Sequence, residues 1–68
     1  MNISESEFNY IKEHVTAEII QMLVNEQGYT LEDAVGKVYS SEIYEKLSDY
    51  HTGLFRQSPR YIMSYLNN

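Results

Sequence analysis

The sequence predicts an all-α fold: a compact bundle of about four short helices, the first the longest, in a single domain over residues 1–68. Three observations predict it. Helix-boundary residues recur along the chain, apolar residues between them return at three- and four-residue spacing, and the connections left over are two to six residues long. Sixty-eight residues lie near the lower limit for a self-sufficient core, burying only about 60% of the surface the unfolded chain exposes. There is no cysteine, which excludes disulfides and thiolate metal sites, and only His14 and His51 remain as imidazole ligands. Oligomerisation is the expected compensation for the small core.

Ser4-x-x-Glu7 opens the first helix, about Glu5 to Gln27, and Gly28 closes it. A serine followed three residues later by glutamate can satisfy two orphan N–H groups reciprocally, and glycine takes the left-handed turn past a helix end. Phe8, Ile11, Val15, Ile19, Met22 and Leu23 fall on one stripe, the face expected against a core. Tyr10, Ala17, Ile20 and Val24 form a second, weaker apolar line roughly opposite. Three short helices could hardly wrap both, so this line is expected to contribute to a homodimer contact or a heteromeric one. The alternative is that another helix of the same chain covers it.

Thr30-x-x-Asp33 opens the second helix, Leu31 to about Tyr39, with Leu31, Ala34, Val35 and Val38 expected inward. Asp33 and Lys37 are spaced for an exposed i,i+4 pair. Gly36 in mid-helix suggests either a close helix approach or plain tolerance. Ser40-Ser41 starts a third helix, about Ser41 to His51, burying Ile43, Leu47 and Tyr50 and presenting Glu42, Glu45 and Asp49 outward. Thr52-Gly53 closes it, the segment from Thr52 to Gln57 is the longest connection, and Ser58-Pro59 opens a fourth helix that buries Ile62, Met63 and Leu66.

The net charge of −5 is uneven: residues 1–34 carry −6 and the remainder +1, with no acidic side chain after Asp49. The overall sign argues against general affinity for nucleic acid or an anionic membrane, and suits a protein partner with a basic surface. No apolar run approaches the ~20 residues that span a bilayer, and nothing at the N-terminus resembles a signal peptide, so the cytoplasm is the expected location.

Catalytic, metal and cofactor motifs are missing. The middle helices have the size of a helix-turn-helix, the basis for an alternative reading as a DNA-binding transcriptional regulator. Yet Glu42, Glu45 and Asp49 would face the phosphates. His14 and Glu18 share a face, but two ligands are too few for a metal and a solvated pair explains them. Ser48, His51 and Asp49 are helix neighbours pointing in different directions, without an oxyanion turn. On the fourth helix, Tyr61 and Tyr65 lie off the core stripe, Arg60 stands where a helix dipole disfavours a cation, and Arg56 precedes it. Tyrosine and arginine are enriched at binding hot spots, making Arg56, Arg60, Tyr61 and Tyr65 a second candidate contact surface. Alternatively, the tyrosines pack beneath the preceding loop and the arginines solvate the surface.

Four segments share a plan with known proteins: Tyr29-Thr30-Leu31-Glu32-Asp33-Ala34-Val35, Tyr39-Ser40-Ser41-Glu42-Ile43-Tyr44-Glu45-Lys46-Leu47, Thr52-Gly53-Leu54-Phe55 and Ser58-Pro59-Arg60-Tyr61-Ile62. In these the chain resembles a family of very short bacterial helical proteins of unknown function, some in toxin–antitoxin-like operons. The resemblance runs from about Phe8 to Leu66 and consists mainly of capping and core residues. It implies a bacterial, cytoplasmic, all-helical protein, antitoxin-like or a regulatory subunit, with no functional residues to carry over. The composite expectation is a self-associating, non-enzymatic protein–protein interaction module.

Overall fold

The computed structural model describes residues 3–66. It contains four α-helices: α1 (Glu5–Gln27), α2 (Leu31–Tyr39), α3 (Glu42–Leu47) and α4 (Pro59–Leu66). Two single 3-10 turns, Tyr50–Thr52 and Leu54–Arg56, join α3 to α4, and no strand occurs among the described residues.

Local chemistry sets the boundaries. The Ser4 Oγ accepts from the Glu7 N–H at 3.1 Å while the Glu7 carboxylate accepts from the Ser4 N–H at 3.1 Å, closing a capping box. That arrangement holds the Glu7 carboxyl below its ordinary pKa, chiefly through the Ser4 backbone bond. Gly28 takes φ 74° and the next N–H, from Tyr29, closes on the Leu23 carbonyl at 3.2 Å. Thr30 and Ser41 cap α2 and α3 in the same way, each hydroxyl accepting at 3.1 Å from the N–H three residues on. The Ser58 hydroxyl accepts from the Tyr61 N–H at 3.2 Å at the start of α4.

The core is Phe8, Val15, Ile19 and Leu23 of α1, Ala34 and Val38 of α2, Leu47 of α3, Phe55 of the connection, and Ile62 and Met63 of α4. Ile11, Met22, Ile43, Tyr44, Tyr50 and Leu66 pack at its margin, half-buried. Thr16 is also buried, its hydroxyl satisfied by the Lys12 carbonyl at 2.7 Å. At 1.5 Å per residue α1 is about 35 Å long, and the molecule's longest extent is 37 Å. One helix therefore runs the full length of the fold, with the other elements laid against it.

Several expectations need correction. Leu31 and Val35 do not face inward: they are 64% and 38% exposed. On a nine-residue helix the Ala34–Val38 line meets α1, and Leu31, Val35 and Tyr39, the adjacent i,i+4 line, are left outside. The third helix stops at Leu47, not His51. Asp49, expected on its outer face, instead caps the next turn by accepting from the His51 N–H at 3.0 Å. This short-range bond offers the backbone an alternative to continuing the helix. The Thr52 hydroxyl then donates to the Lys46 carbonyl at 2.6 Å, holding the turn against the end of α3, and Gly53 at φ 69° reverses the chain. The connection is thus not a plain loop, and it inserts Phe55 into the core, where the ring meets Phe8 edge-on at 4.9 Å and stacks on Tyr50 at 5.4 Å. Lys37 is 6.0 Å over the Tyr29 ring, and the expected Asp33–Lys37 ion pair is not among those formed by the described residues. A Cβ at Gly36 would meet nothing within 4 Å, so no close helix approach accounts for that glycine.

Candidate functional site

Residues Ala17, Ile20, Gln21, Val24 and Asn25 of α1 and Leu31 and Val35 of α2 line one open groove. The three-residue turn between the helices places Val24 beside Leu31, and Tyr39 at the other end feels the charge of Glu13, so the helices run antiparallel. Ile20 and Val24 are half-buried, touching the core from behind while presenting their outer edges. Ala17 is exposed. Tyr10 continues the line toward the N-terminus, 72% exposed, its ring stacked near-parallel on His14 with centroids 6.2 Å apart. Tyr39 closes the α2 edge, tilted against Tyr44 at 4.7 Å. Its hydroxyl is pushed above the ordinary tyrosine pKa, first by desolvation and then by the Glu13 carboxylate.

Ala17, Ile20 and Val24 therefore share a groove, which α2 enlarges with Leu31 and Val35, while Tyr10 lies two turns from Ala17 on the same line of α1 and does not line the groove. Sequence reasoning missed these two α2 residues because it placed them in the core. The signal that could have found them is their own i,i+4 spacing, parallel to Ala34–Val38. None of the groove residues is charged.

The other four candidate residues do not form one patch. Arg60 reaches back to α1, its guanidinium donating to both oxygens of Glu26 at 3.0 and 2.8 Å. This fork lowers the Glu26 pKa, chiefly through the side-chain hydrogen bonds, and raises that of Arg60 for the same reason. It also explains a cation in the first turn of α4: the carboxylate outweighs the helix dipole there. Arg56 lies over the Phe55 ring at 5.0 Å and donates to the Tyr50 hydroxyl at 3.2 Å. Tyr61 and Tyr65 face elsewhere, about half exposed, their rings edge-on at 5.2 Å and their hydroxyls hydrogen-bonded at 2.9 Å. That bond raises the Tyr61 pKa. Together they border a shallow groove with Ile43, Lys46, Thr52 and Leu54.

His14 and Glu18 form the exposed pair expected of them, Nε2 to carboxylate 2.6 Å. No cluster of three or more His, Cys, Asp or Glu capable of holding a metal occurs among the described residues. None of the described helices is long and apolar enough to cross a membrane. No family model, curated protein or solved structure matches the chain.

Proposed function

We propose that the chain is a non-enzymatic protein–protein interaction module whose contact surface is the α1/α2 face. One observation supports this above the others: Ala17, Ile20, Val24, Leu31 and Val35, with the polar Gln21 and Asn25 among them, line an open, uncharged groove on a domain too small to cover both sides of α1. Carboxylates lie outside the groove, with Glu5, Glu7, Glu13, Glu32 and Asp33 all exposed. They would steer a partner with a basic surface toward the face and set its orientation. An antitoxin-like or regulatory role would follow if that partner is held inactive by the contact. The experiment is affinity capture with the wild-type chain and with Leu31→Glu, using lysate of cells that produce the protein. A protein retained by the wild type and lost with L31E supports the reading. Identical retention by both chains, with L31E folded by circular dichroism, overturns it.

A further inference from the structure

We infer that Tyr61 and Tyr65 form a one-electron oxidation site, at which the two phenols couple into a covalent dityrosine within one chain. Neither residue lines the α1/α2 groove, so the pair acts independently of whatever that groove contacts.

The chain has no cysteine and no tryptophan but seven tyrosines, so phenols are the aromatic groups open to a one-electron oxidant. Thiols, which ordinarily take up oxidising equivalents, are missing, and methionine responds by gaining an oxygen atom, a different product. Among the tyrosines, charge selects. Lys37, Lys12 and Arg56 stand 6.0, 5.9 and 5.8 Å over the rings of Tyr29, Tyr44 and Tyr50, where a cation opposes removal of an electron. Among the described residues no cation stands over Tyr61 or Tyr65, and Lys46 only shares the groove beside them.

Geometry selects the same pair. On α4 the two tyrosines stand at i,i+4, where side chains meet on one face, and both are about half exposed to a dissolved oxidant. Their hydroxyls are hydrogen-bonded at 2.9 Å and their rings are inclined at 78°. An ortho-linked dityrosine joins the ring carbons beside the two hydroxyl-bearing carbons. That bond holds the oxygens at hydrogen-bond distance and twists the rings out of one plane, two features the folded pair already has. Tyr39 and Tyr44 have closer centroids, 4.7 Å apart, but no hydrogen bond joins their hydroxyls among the described residues.

Each tyrosine gives one electron to the oxidant and its hydroxyl proton to water, leaving two phenoxyl radicals. The odd electrons pair in a new carbon–carbon bond. Each ring then passes its ortho hydrogen, as a proton, to its own oxygen, and both phenols are restored. Two phenols thus yield one biphenol, two electrons and two protons.

The dilute, folded chain is illuminated with ruthenium tris(bipyridyl) and persulfate, one persulfate being reduced to two sulfates for each link formed. Cleavage after Arg60 releases a peptide holding both tyrosines, which should be lighter by two hydrogen atoms and show biphenol fluorescence. Y61F and Y65F should each lose that product while keeping the circular dichroism of the wild type. Unfolding in urea should lower its yield several-fold, since the hydroxyl contact is then gone. A peptide that stays unlinked in the folded wild type overturns the inference, as do links that fall on Tyr39 and Tyr44 or between chains instead. A yield unchanged by urea overturns it too, because closeness in sequence would then suffice.

Discussion

Gly36 stands on the outer side of α2 with open space where a side chain would begin. Gly36→Ala should therefore raise stability by about 1 kcal/mol, through helix propensity alone, and lift the thermal midpoint by roughly 4–8 °C for a domain this small. Thr30 is the reverse case. Thr30→Ala removes the oxygen that accepts the Asp33 N–H and should cost about 1 kcal/mol, read by chemical denaturation. Glu7 supplies a pH dependence whose sign follows from its lowered folded pKa. Between that value and the unfolded one, about 4.3, the unfolded chain binds more protons. Its stabilisation is present above this window and is lost as pH falls through it. Glu7→Gln should flatten the acid side of a stability-versus-pH curve and leave its slope near neutrality unchanged. Thr30 and Glu7 were legible in the sequence because capping acts within four residues, whereas Gly36 was open between a close helix approach and tolerance until the empty space beside it decided the matter. The Arg60–Glu26 fork was not legible: its partners are 34 positions apart, and nothing local to Arg60 names the carboxylate it finds.

At the scale of elements, the boundaries of α1 and α2 and the start of α4 follow from their caps, while α3 shows where periodicity misleads. Ile43, Leu47 and Tyr50 keep helical spacing, but the chain leaves the helix after Leu47 because the Asp49 side chain captures the His51 N–H. The apolar spacing survives the change of conformation, which is why it could not announce the break. Phe55 was hidden for a related reason, being a lone aromatic in a segment that carries loop residues on either side. Its truncation is the most damaging single change expected here. Phe55→Ala empties a site walled by Phe8 and Tyr50 and should cost about 3–5 kcal/mol, enough to unfold much of a small domain, as a shifted urea midpoint would show. The candidate face was half legible. Its α1 line could be read from opposite-side spacing, whereas its α2 line depended on which of two neighbouring i,i+4 rows met α1. That choice is tertiary.

For the whole molecule, the net charge and the uncharged groove make opposing demands that salt can separate. If two copies associate through the groove, added salt screens their mutual repulsion and should tighten the dimer, with a melting temperature that rises with protein concentration. A complex held by a basic partner against the carboxylates would loosen under the same titration. Sedimentation at two ionic strengths tells these apart. The connection between α3 and α4 has a separate consequence for anyone cutting or grafting this protein. Because it carries an aromatic ring into the centre, a protease nick or an inserted epitope between Gly53 and Gln57 would pull the plug from the core. The Gly28–Thr30 bend, which contributes no fully buried side chain, is the better place to splice.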